Sequence, residues 1–130
     1  MEESRPVVLH PGDAVEPIES RMELRHHRDP DGRRVGWSGP IRNEAGDVSG
    51  WHHHAANDTF VYVIRGSVAI EFGPRGADRI EARAGDFFVV PSQTVHREIT
   101  GPDADLEAFV LRVGGEPEQV DVDGPEGAGR

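Results

Sequence analysis

The chain has 130 residues, a net charge of −10 and a pI near 5.0, which fits a single domain with a modest core. That charge argues against nucleic-acid phosphates and anionic membrane surfaces as partners. Cysteine and lysine are both absent, which excludes disulfides, thiolate chemistry, Cys-bound zinc and a lysine Schiff base.

The first twenty residues read as an extended N-terminal arm. The start, Met1-Glu2-Glu3-Ser4-Arg5, is polar and unlike a signal peptide, and no apolar run is long enough to span a bilayer, so a cytoplasmic location is expected. Glu16 to Arg28 is the best helix candidate, although its apolar residues are sparse. From there on, short strand-like runs dominate. Thr59 to Ile64 is apolar on both faces, as a central strand is. Ser67 to Phe72 alternates, with Val68, Ile70 and Phe72 on one face. Gly73-Pro74-Arg75-Gly76 is a turn. Arg79 to Arg83 alternates again, Ala84-Gly85-Asp86 turns, and Phe87 to Val90 is a short apolar strand. His96 to Thr100 and Leu106 to Val113 close the series. Many short strands separated by Gly/Pro turns read as a sandwich or barrel. Residues 114–130 are rich in Gly, Pro and acids, with too little apolar surface to fold alone, and read as a flexible acidic tail.

The histidines carry the chemistry. Of seven, four lie in two short segments, Gly50-Trp51-His52-His53-His54 and Pro91-Ser92-Gln93-Thr94-Val95-His96. His52 and His54 are two apart, so on a strand they share a face. His96 comes from a later strand. Three imidazoles converging inside a barrel suit a first-row divalent metal. His53 points the other way by the same alternation, and His10, His26 and His27 read as surface residues. The bland alternative, a solvated histidine run, does not account for the spacing of the second segment.

The segment from Gly50 to Gly66, GWHHHAANDTFVYVIRG, resembles the first cupin motif: a His-x-His pair, an acidic ligand, then a glycine seven residues after the acid. The segment from Gly85 to Thr100, GDFFVVPSQTVHREIT, resembles the second motif, which runs from glycine through Pro-x-Gly to histidine and asparagine. The resemblance implies an all-β, double-stranded β-helix (a cupin jelly-roll barrel) over residues 21–113, between the arm (1–20) and the tail (114–130). It also implies a single divalent metal held by His52, His54 and His96. Iron is the first expectation, with Zn, Ni, Mn or Cu as alternatives. Thr59 stands where the motif has its acid. Asp58 is its neighbour and binds only if the strand slips by one, since on a regular strand it faces away. Gln93 and Thr100 replace the motif's Gly and Asn.

Strand phase adds three candidates. Glu98 is two past His96 and faces the same interior, as a general base or as a partner that orients a ligand imidazole. Thr59 faces inward, where its hydroxyl could hold a metal-bound water. Arg42, in Gly39-Pro40-Ile41-Arg42-Asn43-Glu44, precedes the first motif and could reach an anionic substrate. The plain reading of each is structural: a buried hydrogen bond for Glu98 and a surface ion pair for Arg42. The expected protein is therefore a metal-dependent enzyme acting on a small molecule, first as an Fe(II) dioxygenase of an enolisable or phenolic acid. Redox-neutral isomerase, lyase or cyclase chemistry and a non-catalytic small-molecule sensor are the alternatives, because this fold hosts many chemistries. A homodimer is expected from family habit and from the need to cover sheet edges.

Overall fold

Alternation through residues 58–65 and 106–113 gives each of these runs one buried apolar face, and the sheet they share packs that face against a second sheet. A computed structural model describes residues 6, 8, 10, 25–115, 117 and 119–125. Its strands are β1 (Arg25–Arg28), β2 (Arg34–Asn43), β3 (His52–His53), β4 (Asp58–Arg65), β5 (Ser67–Phe72), β6 (Asp78–Arg83), β7 (Phe87–Val90), β8 (His96–Thr100), β9 (Leu106–Val113) and β10 (Val120–Asp121). They form two five-stranded sheets, ordered β1-β2-β9-β4-β7 and β10-β3-β8-β5-β6. Neighbouring strands run antiparallel. This is the expected double-stranded β-helix. No described helix is long and apolar enough to cross a membrane.

The core lies between the sheets. Val61 and Val63 of β4 and Leu106, Ala108 and Val110 of β9 face Val68 and Ile70 of β5, with Trp37 of β2 among them. Each such side chain contributes roughly 1.5–3 kcal/mol when fully buried. The turn from β4 into β5 needs Gly66, whose φ is 81° and where a Cβ would lie 2.6 Å from the carbonyl oxygen of Asp105. That is why the first motif ends on glycine.

Three expectations change. The helix over 16–28 is not formed where it can be seen: Arg25–Arg28 is a strand paired with β2, and 16–24 lie outside the described residues. The sparse apolar residues leave no helical face to bury, whereas the ten-residue β2 offers a ladder of backbone partners. Thr59 to Ile64 is not enclosed on both sides. β4 does lie between β9 and β7, but its second face, with Tyr62 and Ile64, is exposed. Last, the segment expected as a tail departs from that reading after 114. Val120 and Asp121 pair with His53 and His52, and the Val122 N–H donates to Trp51 O at 3.0 Å. The buried amide of Asn57 donates to the carbonyls of Gly115 at 2.9 Å and Pro117 at 3.1 Å. Without β10 the short strand β3 would be a sheet edge, and this segment satisfies its outer backbone groups. The arm at 1–20 lies outside the described residues except for 6, 8 and 10.

Candidate metal centre

β3 and β8 are neighbours in register, with His52 directly opposite His96. Alternation then sends His52, His54, His96 and Glu98 into the interior. The three imidazoles are buried, with ring centroids 4.4–5.1 Å apart. His53 faces away, and its Nδ1 accepts the Ala55 N–H at 3.0 Å.

Backbone carbonyls fix two tautomers. His52 Nδ1–H donates to Gly50 O and His96 Nδ1–H to Thr94 O, each at 2.8 Å. Nε2 is thereby the inward atom of each ring: when protonated it donates to Glu98, and once that proton leaves it offers a metal its lone pair. Oε1 of Glu98 lies 3.3 Å from His96 Nε2 and 3.8 Å from His52 Nε2. One ligand atom from each of the four residues falls within 4.8 Å of all the others. Ligand atoms held about 2.1 Å from one tetrahedral ion lie about 3.4 Å apart, so a small contraction closes this set on a single ion. Three neutral imidazoles and one carboxylate are a donor set for a first-row transition metal.

Electrostatics bind the cluster together before any metal arrives. Burial opposes the charge on Glu98, but hydrogen bonds from His52 and His96 and their nearness outweigh it. The carboxyl is held well below the usual carboxylate range. Burial likewise opposes charging His52, and the Glu98 carboxylate outweighs it and raises the imidazole. A metal therefore displaces a proton here, and its uptake weakens in acid.

The cluster opens into a cavity of about 530 Å³ between the sheets. Trp37, Ile41, Val61, Phe88, Leu106 and Val110 form its apolar wall. Among the described residues its ionised lining is Arg34, Arg112, Glu98 and Asp121, and Pro117, Gln119 and Asp121 bring the C-terminal segment to it. Arg112 is buried on β9. Its Nε donates to Thr59 Oγ1 at 2.8 Å, its guanidinium lies 4.0 Å from the centroid of Trp37, and its NH2 group is 3.3 Å from His54 Nε2.

The sequence candidates sort clearly by position. His52, His54, His96 and Glu98 come together, and Thr59 faces inward beside them, its hydroxyl engaged by Arg112. Asp58 is not brought to the cluster. It is exposed on the opposite face of β4 and accepts the Ser92 N–H at 2.8 Å. Arg42 lies outside the cavity, on the surface, in an ion pair with Asp105 at 3.1 Å, because Ile41 takes the inward position. Arg112, Arg34 and Asn57 are absent from the sequence reading. The alternation Leu106, Ala108, Val110, Arg112 carries the signal for Arg112, since it puts a guanidinium on the buried face of a strand.

The fold and this cluster define a β-barrel protein with an internal three-histidine, one-glutamate cluster that could hold a metal ion. The cupin-domain family pattern matches residues 41–112, and the chain belongs to the cupin family. No curated protein matches it in sequence. Among solved structures it is similar to an uncharacterized conserved protein with a double-stranded β-helix domain from Klebsiella pneumoniae, at 15% identity and a TM-score of 0.63, covering 92% of this chain and 98% of that one. A protein of Neisseria meningitidis shares 17% identity with a TM-score of 0.59, over 85% of this chain and all of the other. An oxalate decarboxylase shares 21% identity with a TM-score of 0.63, over 83% of this chain and 30% of that one. Likeness at these identities concerns the fold.

Proposed function

We propose that this protein is a mononuclear metal-dependent enzyme that oxidises a small enolisable or phenolic acid with dioxygen, using Fe(II). The observation that carries the reading is the buried His52–His54–His96–Glu98 cluster opening on an apolar-walled cavity. Iron at such a donor set supplies adjacent positions for substrate and dioxygen. The chain's own residues do the rest. His52 and His96 are locked in the ligand tautomer by Gly50 O and Thr94 O. The wall around Trp37 and Phe88 binds the substrate's apolar body and excludes water.

The test is oxygen uptake by protein reconstituted with Fe(II) and offered a panel of enolisable and phenolic acids. Uptake matched by product, and lost in His54→Ala, supports the proposal. Turnover that proceeds equally under nitrogen overturns it in favour of redox-neutral isomerase, lyase or cyclase chemistry. That second reading is favoured by one observation: Glu98 lines the cavity with about a third of its side chain open, within reach of a bound substrate's proton. Ligand binding without turnover of any kind overturns both readings in favour of a sensor.

We also propose that the working unit is a homodimer joined through the outer face of the β1-β2-β9-β4-β7 sheet. Tyr62, Ile64, Phe87, Val89, Phe109 and Leu111 are exposed there and adjoin across strands: Tyr62 is opposite both Phe87 and Phe109. Three strands at about 4.8 Å spacing, over about five residues each, give a face of roughly 14 by 17 Å. That is the apolar centre of a standard interface of about 800 Å² per partner. A chain of net charge −10 meets its own copy with least repulsion through its least charged surface.

A further inference from the structure

We propose that divalent cations reach the histidine cluster through a polar pocket distinct from the apolar-walled cavity, and that Asp121, at the outer end of that pocket, is the carboxylate that draws them in. The inference rests on reading the cluster as a metal site, and it holds whatever chemistry the metal then performs.

Two spaces meet at the cluster. Besides the apolar-walled cavity there is a pocket of about 350 Å³ between the 43–50 segment, β8 and β10. His52 and Glu98 line both spaces, so the cluster has two approaches, and they differ in chemistry. On one side stand Ile41, Val61, Phe88 and Leu106, which offer a hydrated ion nothing in exchange for its water. On the other stand Asn43, Ser49, Thr100 and Gln119, whose amide and hydroxyl oxygens are the ligand type that replaces water around a divalent ion. Among the described residues the carboxylates lining this pocket are Asp47, Glu98 and Asp121, and no arginine lines it. A recess lined by one sign of charge raises the local concentration of the opposite ion and speeds its arrival.

Strand register is the second argument. β10 lies beyond the family match, which ends at residue 112. Yet Asp121 is directly opposite His52, and His52 is directly opposite His96. Directly opposed residues share a face, with Cβ atoms about 4.5–5.5 Å apart. Asp121, His52 and His96 therefore form one row across three strands, with the carboxylate at its outer end. Asp121 is exposed and the two imidazoles are buried. Between these extremes Glu98 has about a third of its side chain open. An entering cation thus meets Asp121, then Glu98, then the imidazole nitrogens. Gln119 Nε2 donates to Asp121 Oδ1 at 2.8 Å, and this neutral donor orients the carboxylate without cancelling its charge. The segment is fastened on both sides of Asp121, by Val122 N–H on Trp51 O and by the Asn57 amide on Pro117 O.

The experiment mixes Co(II) with the metal-free full chain in stopped flow and follows the visible absorption of the bound ion. Asp121→Asn keeps an oxygen for Gln119 and removes the charge. It is expected to slow uptake at least threefold at low ionic strength and to leave the stoichiometry unchanged. Val48 lines the pocket and not the cavity and is 56% exposed, so Val48→Arg puts a cation at the pocket's mouth. It is expected to take up Co(II) at least threefold more slowly than the uncharged comparison Val48→Gln. That gap should narrow in 1 M salt, where charges are screened beyond about 3 Å. Val48→Arg carries the test should Asp121→Asn release the C-terminal segment. A structural role for Asp121 predicts weaker binding through faster release at an unchanged uptake rate, and that result overturns the proposal. Wild-type uptake rates in both Asp121→Asn and Val48→Arg also overturn it and leave the metal cluster standing. A wild type that takes up no Co(II) overturns the cluster reading and the route with it. Slowed uptake in both variants, with no oxygen consumed on any acid, supports the route and sinks only the oxygenase.

Discussion

Glutamine in place of Glu98 keeps the side chain's shape and removes its charge, which isolates what the carboxylate does for the metal. Its Oε1 stands 3.3 Å and 3.8 Å from the Nε2 atoms of His96 and His52, close to the ligand spacing about a tetrahedral ion of about 3.4 Å. Unit charges about 4 Å apart attract by about 4 kcal/mol at an effective dielectric of 20, and a dication doubles this. Most of that gain is offset by desolvation of the carboxylate and by the amide oxygen that remains as a weak donor. A net loss of tenfold to a hundredfold in metal affinity follows, the range over which groups supporting metal ligands act. A second effect opposes it. Glu98 also raises His52, so Glu98→Gln lets the His52 proton leave more easily and lowers the competition that a metal meets in acid. The loss in Glu98→Gln is therefore larger at pH 8 than at pH 6, because the wild type gives up the His52 proton on binding metal and does so more readily as pH rises. Competition against a chromophoric zinc chelator at both pH values reads this directly. Unchanged affinity at pH 8 would refute the assignment of Glu98 to the metal set and leave it only a proton-moving role.

Other expectations follow from single contacts. Asn57 is 1% exposed, and its amide ties the His54, Gly115 and Pro117 carbonyls together. Asn57→Ala is expected to cost about 1–3 kcal/mol in thermal unfolding and to speed proteolysis beyond residue 114, and a cleavage pattern identical to the wild type counts against the docking of that segment. Phe109→Asp, on the exposed sheet face, should convert a dimer into a monomer by light scattering while the fold persists by circular dichroism; a wild type that is already monomeric at tens of micromolar rules out the proposed interface. Asp105 accepts the Ala45 N–H at 3.0 Å and pairs with Arg42, and these contacts hold its carboxyl below its ordinary value. Its contribution is present above the unfolded carboxyl range, near pH 4, and is lost as pH falls through the lower folded value. Asp105→Asn is therefore expected to destabilise at neutral pH, and its difference from the wild type should fade in denaturant titrations taken further into acid. A constant gap across pH would assign the effect to shape and not to charge.

What the sequence made legible follows from where alternation is regular. From β4 to β9 the strands pack one face on the core, so the period of two predicts both their extents and the inward turn of His96, Glu98 and Thr59. The histidine pair and the glycine at 66 report backbone demands, a shared face and a positive φ of 81°, and such demands survive when other positions drift. Where regularity fails, so does the reading. β2 carries Gly36, Gly39 and Pro40 and loses one residue of register against β1 near Arg34. Its phase is therefore hidden, and Arg42 is assigned inward when Ile41 takes that place. The C-terminal segment has too few apolar residues to announce a strand. It is ordered by groups already folded, namely the edge of β3 and the amide of Asn57.

The missed arginine shows how the site departs from its family pattern without losing its charge balance. At the motif's acidic position the chain has Thr59, and the carboxylate of the cluster comes from Glu98 on β8. A carboxylate at 59 would face Arg112 directly and neutralise it as a structural ion pair. With threonine there, the guanidinium is anchored through Nε on the Thr59 hydroxyl at the edge of the metal cluster. The two changes are coupled, so each is expected to fail alone. Thr59→Glu is expected to draw Arg112 into a salt bridge, so the added carboxylate should change zinc affinity by less than about tenfold in chelator competition. A Thr59→Glu variant that binds zinc more than about tenfold more tightly than the wild type would show that the two positions are independent.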